Sequence, residues 1–143
     1  MKLHIITIGR PKLAYAKLGW EEYWQRLQHY HDVRVSHIAD AHNDTAHILD
    51  AAGKSYIVAL VINGTQLSSP EVADFLQARA VDGREVSFII GGPNGLPQEV
   101  IDKAHFQWSF STMTLPHDLA MVTLLEALYR ASTINSGHPY HKQ

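Results

Sequence analysis

The feature that most constrains this chain is a five-fold alternation of short apolar runs with segments of helical spacing. Residues 3–8, 33–38, 56–62, 85–90 and 108–110 read as strands, rich in β-branched and aromatic side chains. Between the first two, residues 14–30 place Leu18, Trp20, Tyr23, Trp24 and Leu27 near helical spacing. Residues 45–52 form a short helix stopped by Gly53. Ser69-Pro70-Glu71 opens a helix that ends before Gly83, with Ser69 as the hydroxyl cap and Pro70 as the first helical residue. Residues 97–105 form a fourth helix, and Pro116, placed at the first helical position, opens a fifth that reaches about Asn135. Strands separated by helices are joined by right-handed crossovers, which makes a parallel sheet covered on both faces. The expectation is an α/β fold, and 143 residues suit one domain. Ligands of such sheets bind beyond the carboxyl ends of the strands. The loops there are residues 63–65, where Asn63-Gly64 marks a turn, residues 91–95 and residues 111–116.

Composition removes several functions. The chain has no cysteine, so disulfide scaffolds, cysteine metal sites and a cysteine nucleophile are excluded. The formal charge of −2 argues against gripping nucleic acid by bulk charge. That sum hides a locally basic start, with Lys2, Arg10, Lys12, Lys17, Arg26 and Arg34, followed by a stretch from 35 to 53 that has three Asp and no Lys or Arg. The opening apolar run is far shorter than a signal sequence or a membrane span, so a cytoplasmic location with no membrane partner is expected.

The candidate residues sit in the later half. Gly91-Gly92-Pro93-Asn94-Gly95 is either a plain tight turn or a loop that lets the backbone approach a ligand; it has neither a Walker A lysine nor the G-x-G-x-x-G spacing. Ser111, Thr112, Met113, Thr114, Leu115 and Pro116 either form a structural loop ahead of a helix or supply an apolar slot with placed hydroxyls, suited to an adenine and a thioether. The last helix is apolar on nearly every face, which suggests packing on another chain, and only Thr123, Glu126 and Arg130 break the pattern on one stripe. Arg130 either pairs with Glu126 or points a guanidinium at a substrate oxygen. Ten histidines are many for this length. His138 and His141, separated by Pro139 and Tyr140, lack helical spacing and a carboxylate, so no metal site is expected. With Lys142 they form either a disordered tail or a contact surface for bases and phosphates.

Four ordered motifs then resemble one family. These are Ile89-Ile90-Gly91-Gly92-Pro93-Asn94-Gly95, the stretch from Ser109 to His117, Leu124-Leu125-Glu126-Ala127-Leu128-Tyr129-Arg130-Ala131, and His138-Pro139-Tyr140-His141. Together with Met1-Lys2-Leu3, Gly9 and Ala51-Ala52-Gly53-Lys54, they are similar to the RlmH family of SPOUT-class rRNA methyltransferases over the whole chain. The resemblance implies a parallel-sheet SPOUT fold with a C-terminal trefoil knot, acting as a homodimer. It implies S-adenosylmethionine as cofactor, held by Leu60, Gly92 and Ser111 to Pro116. It also implies methylation of N3 of a pseudouridine in the helix-69 loop of 23S rRNA, on the 70S ribosome or its large subunit. Arg130 and His117 would hold the imide anion, and Tyr140 or His141 would stack on or hydrogen-bond the flipped base, with His141 also able to act as a base. Another RNA substrate, or a non-catalytic nucleotide-binding module, are the alternatives. The chain departs from the family pattern at Met121, where an arginine is common, at Asp118, and in a shortened segment after Ala39. These changes remove positive charge from the expected RNA side.

Overall fold

A computed structural model describes residues 1–142; Gln143, the end of the histidine-bearing tail, lies outside them. The alternation is present as β1 (Lys2–Ile8), α1 (Ala14–Leu27), β2 (Asp32–Ile38), α2 (Thr45–Ala52), β3 (Tyr56–Gln66), α3 (Ser69–Asp82), β4 (Val86–Ile90), α4 (Gln98–Lys103), β5 (Phe106–Ser109) and α5 (His117–Ser136). A 3-10 turn, Asp40–His42, precedes α2. The sheet has the order β2-β1-β4-β3-β5, and every pairing in it is parallel.

Side-chain alternation along the strands divides the core in two. Leu3, Ile5, Val86, Phe88 and Ile90 face α1, α3 and α5, where they meet Leu27, Val72, Leu76, Leu124 and Leu128. Ile6, Ile8, Ile57 and Ile89 face α2 and α4, where they meet Ile48, Ala52 and Val100. No described helix is long and apolar enough to cross a membrane.

Several expected boundaries move, each for a physical reason. β3 runs past Asn63-Gly64 instead of turning there. Leu60 and Thr65 both pair with Trp108 of β5, so residues 61–64 bulge out of the ladder and the strand resumes. Gly64 makes this possible, because a Cβ on it would lie 2.7 Å from the Gln107 carbonyl oxygen. α3 is capped by Ser68, one residue before Ser69, because only that register puts Glu71 at the third helical position. The Glu71 amide donates to Ser68 Oγ at 3.2 Å, and Ser68 N donates to Glu71 Oε1 at 2.8 Å. α1 stops at Leu27 rather than Tyr30, its last residues tightening into turns such as His29 N to Arg26 O at 3.2 Å. α4 ends at Lys103 rather than His105, whose amide bonds the Ile57 carbonyl at 2.8 Å and draws the chain into β5 two residues early. Pro116 is the cap of α5, not its first helical residue.

The apolar girth of α5 has a cause different from the expected one. α1, α3 and the sheet cover it within the chain, and Met121, Leu124, Leu125 and Leu128 are fully buried. Exposed apolar side chains gather at the entry to α1, where Leu13, Tyr15 and Leu18 are 55%, 51% and 73% exposed, while Leu119 on α5 is 37% exposed.

Candidate active site

After β4 the chain reverses tightly. Gly95 N donates to the Gly92 carbonyl at 2.9 Å, and Gly95 takes a φ of +75°. Added Cβ atoms would lie 2.6 Å from the Gly95 carbonyl carbon at Gly91, and 3.1 Å from Ile8 Cγ2 at Gly92. The tight-turn reading therefore holds, and the same turn forms one wall of a cavity of about 450 Å³. That volume lies in the range of small-molecule sites.

The cavity sits at the bulge of β3 and at the carboxyl ends of β4 and β5. Leu60 and Ile62 line it from β3, Ile90, Gly91 and Gly92 from β4 and its turn, and Trp108 and Phe110 from β5. Ser111, Met113, Thr114, Leu115, Pro116 and His117 close it. Of the expected cofactor residues, Leu60, Gly92, Ser111, Met113, Thr114, Leu115 and Pro116 thus share one cavity, while Thr112 is exposed and does not line it. Ser111 shapes this loop: its Oγ accepts from Met113 N at 3.0 Å, and its carbonyl accepts from Ser109 Oγ at 2.9 Å.

His117, the first residue of α5, stands at the cavity wall. Its Nδ1 is 3.4 Å from Asp118 Oδ1, and its Nε2 is buried without a hydrogen-bond partner among the described residues. Asp118 plays a structural role, in which its Oδ2 accepts from Lys12 N at 2.9 Å and Leu13 N at 2.6 Å and ties the entry of α1 to the start of α5. Burial raises its pKa, but the two amides and His117 outweigh that and hold the carboxyl below its ordinary range. Met121 is fully buried among core side chains, so it removes no charge from a surface. The two departures thus have places within the chain, Met121 in the core and Asp118 on the amides of Lys12 and Leu13.

Arg130, Tyr140 and His141 form a second cluster. Arg130 does pair with Glu126, through Nε and Nη2, both 2.8 Å from Oε1. Its remaining nitrogen, Nη1, donates to His141 Nδ1 at 3.1 Å, and its guanidinium lies 4.7 Å from the Tyr140 ring centre. Tyr140 Oη donates to Glu126 Oε1 at 3.3 Å and is 3.4 Å from Tyr23 Oη. Burial, then the Tyr23 contact and the Glu126 carboxylate, push the Tyr140 phenol well above its ordinary pKa. Tyr23, Arg26 and Glu126 were not among the site residues expected from the sequence. The spacing of Tyr23 and Arg26 on one face of α1 was the signal that could have found them.

The two clusters are not brought together within one chain. His117 and Arg130 lie at opposite ends of α5, thirteen residues apart in sequence, or about 20 Å along the axis at roughly 1.5 Å per residue. His138 also stays apart from a metal-ligand arrangement: its Nδ1 accepts from Tyr140 N at 3.2 Å. His42, Asp44 and His47 do gather ligand atoms within 4.8 Å of one another. Asp44 there caps α2 and bonds His47 Nδ1 at 2.8 Å, which accounts for the grouping.

Comparison with known proteins agrees with this architecture. A family model described as Predicted SPOUT methyltransferase matches residues 1–141. A Deinococcus deserti protein named Ribosomal RNA large subunit methyltransferase H is 50% identical, aligned over 99% of this chain and 100% of its own length. Its Deinococcus radiodurans counterpart of the same name is 48% identical, over 99% of each chain. Among solved structures, a probable methylase family protein from Haemophilus influenzae Rd KW20 superposes with a TM-score of 0.60 at 12% identity, covering 99% of this chain and 70% of that one. A putative RNA methyltransferase from Bacillus anthracis gives 0.54 at 11% identity, covering 99% and 98%. At those identities the structures share the fold alone, whereas the sequence matches reach the family. The chain belongs to the SPOUT methyltransferase family, in the group of the ribosomal RNA large subunit methyltransferase H proteins.

Proposed function

We propose that this chain methylates N3 of a pseudouridine in the helix-69 loop of 23S rRNA, on the assembled ribosome or its large subunit, with S-adenosylmethionine as donor. In this reading it works in the cytoplasm as a homodimer built on a knotted single domain. The observation that carries the reading is the division of α5, with a glycine-walled cavity at its first turn and an arginine cluster about 20 Å away at its last turns. One chain holds both halves of a methyl-transfer site but does not join them. A two-fold pairing lets the cluster of one copy serve the cavity of its partner. The exposed Leu13, Tyr15 and Leu18 support such a pairing, because Asp118 ties that surface to the cavity end of α5.

The cavity fits the cofactor in size and in chemistry. Leu60, Met113 and Leu115 give it an apolar lining, Ser111 and Thr114 add hydroxyls, and Gly91 and Gly92 leave the backbone bare. When bound, S-adenosylmethionine supplies an electrophilic methyl group on a sulfonium. Leu60, Gly92, Ser111 and residues 113–116 would hold it, with Thr112 outside the cavity wall. Arg130 is a fixed positive charge for the imide anion that the target base becomes, Tyr140 offers a ring to stack on, and His117 borders the cavity. A net charge of −2 suits a shaped ribosomal target better than naked RNA.

Two measurements test this. Mass spectrometry of 23S rRNA from a strain lacking the protein is expected to show the helix-69 pseudouridine without its methyl group; an unchanged nucleotide refutes the substrate. Mixing an Arg130→Ala variant with a Gly91→Ala variant, at a cofactor concentration too low to load the Gly91→Ala cavity, is expected to restore about a quarter of the activity, since half the dimers are mixed and each has one intact site. No recovery from the mixture refutes the shared site.

A further inference from the structure

We infer that His141 meets the target base as a hydrogen-bond donor through Nε2 and does not take its proton. This inference rests on the methyl-transfer reading given above. A guanidinium nitrogen has protons and no lone pair to offer, so it can only donate. Arg130 Nη1 lies 3.1 Å from His141 Nδ1, and therefore Nδ1 accepts. A neutral imidazole whose Nδ1 accepts carries its proton on Nε2. The other ring nitrogen, Nε2, is then a donor with no free lone pair.

The surroundings hold Arg130 in that position. Glu126 Oε1 takes two of its nitrogens at 2.8 Å each, which leaves Nη1 for the imidazole. The other groups facing this cluster are Tyr140, which donates to Glu126, Tyr129 of α5, whose ring centre lies 4.7 Å from that of Tyr140, and Tyr23 and Arg26 of α1. Arg26 lies 6.0 Å from the Tyr140 ring centre, so two guanidiniums attend that ring, at 6.0 and 4.7 Å. The phenol proton of Tyr140 is committed to Glu126 Oε1, the same oxygen that takes both Arg130 nitrogens, so the lone pairs left in this cluster lie on Glu126 Oε2 and the phenol oxygens rather than on His141. His141 Nε2 itself is buried and has no partner among the described residues. A buried donor without an acceptor is unfavourable, and a base carbonyl oxygen is an acceptor of the right kind.

The proton balance follows. The N3–H bond of the base breaks, its proton passes to water, and the electron pair stays on N3, spread over the flanking carbonyl oxygens. His141 Nε2–H and the Arg130 charge stabilise that anion, and the N3 pair then takes the methyl group. His141 gains no proton in the step.

The test needs a readout apart from turnover. Two-dimensional ¹H–¹⁵N spectra of the histidine-labelled protein, assigned with the His141→Gln variant, report which nitrogen carries the proton. The expected result is protonated Nε2 with bare Nδ1; a protonated Nδ1 overturns the inference whatever the activity. Methylation of ribosomes lacking the mark is then compared for wild type, His141→Gln and His141→Ala across the acid side of neutrality. Glutamine keeps an N–H donor but cannot act as a base, so it is expected to stay within about tenfold of wild type with the same pH profile. Alanine is expected to lose about 10²-fold, as for a lost oxyanion donor. Glutamine as inactive as alanine, with a wild-type loss of rate in acid, makes His141 the base and overturns the inference. A wild-type protein that leaves ribosomes unmethylated sinks the functional reading instead, and the spectra still decide the tautomer.

Discussion

The two ends of α5 are specified by different physics. At the first turn the constraints are steric: Gly91 sits where a Cβ has no room, Gly92 where one would press on Ile8, and an apolar cradle closes around them. At the last turns the constraints are electrostatic. Glu126, Arg130, Tyr140 and His141 form a chain of directed hydrogen bonds on a half-exposed surface. A steric site suits a ligand of fixed shape, and a charged site suits a group whose charge develops during reaction. The division implies that binding and turnover are separable, and mutations can break that claim.

The largest effect is expected at the charged end. Arg130→Ala should lower kcat by about 10²–10³-fold, as removal of one stabiliser of a developing anion does. Cofactor affinity measured by calorimetry should be unchanged, because Arg130 is absent from the cavity wall. A weakened cofactor affinity in that variant would merge the two ends. Gly91→Ala is the converse case. Its Cβ would meet the Gly95 carbonyl carbon at 2.6 Å, and backbone cannot move aside as a flexible side chain does. Overpacking of this kind costs about 1–3 kcal/mol, so cofactor binding should weaken by about ten- to a hundredfold. A dissociation constant within twofold of wild type would show that the turn does not shape the cavity.

The same division explains what could be read from the sequence. The steric end was legible because its requirements are local. Glycines, a strand end and a loop of hydroxyls beside Met113 lie within short stretches, and the fold brings residues 60, 92, 111 and 113–116 to one cavity. What failed locally was register. Adjacent Ser68 and Ser69 are chemically equivalent caps until Glu71 is placed, and Asn63-Gly64 is turn-like until Trp108 pairs with both sides of it. The charged end was legible in its residues but not in its location. The predicted last helix already separates Arg130 from His117, but nothing in a linear sequence shows that Tyr23 of α1 reaches Tyr140. The structural role of Asp118 was hidden for the same reason, since its partners are 105 and 106 residues away.

Asp118 joins the cavity end of α5 to the entry of α1, so its removal tests whether the steric end depends on that link. Asp118→Ala leaves the amides of Lys12 and Leu13 without their acceptor. The expected loss is about 2 kcal/mol, read as a fall of several degrees in Tm, about 2–8 °C per kcal/mol. An unchanged Tm would mean that water replaces the carboxylate and that the link is dispensable.

The smallest effect is expected from pH, and it should fall at the charged end. His31 Nε2 lies 2.8 Å from Ser132 Oγ, one helical step beyond Arg130. Burial, with the N-terminal ammonium adding to it, pushes the imidazole down to about 4. In the unfolded chain the same group takes a proton near its ordinary value of about 6.5. Its contribution to stability is therefore complete above about pH 6.5, declines as pH falls through that value, and levels off below about 4. Because the ring is partly exposed, the span is discounted to roughly 1–2 kcal/mol. His4 and His37 are also lowered, mainly by burial, and add to the same decline. Only a difference isolates His31, so urea midpoints are compared between wild type and His31→Gln, which keeps a donor for Ser132. The variant should lose less stability on acidification than wild type. Equal slopes would assign the acid sensitivity to His4 and His37 on β1 and β2, away from α5.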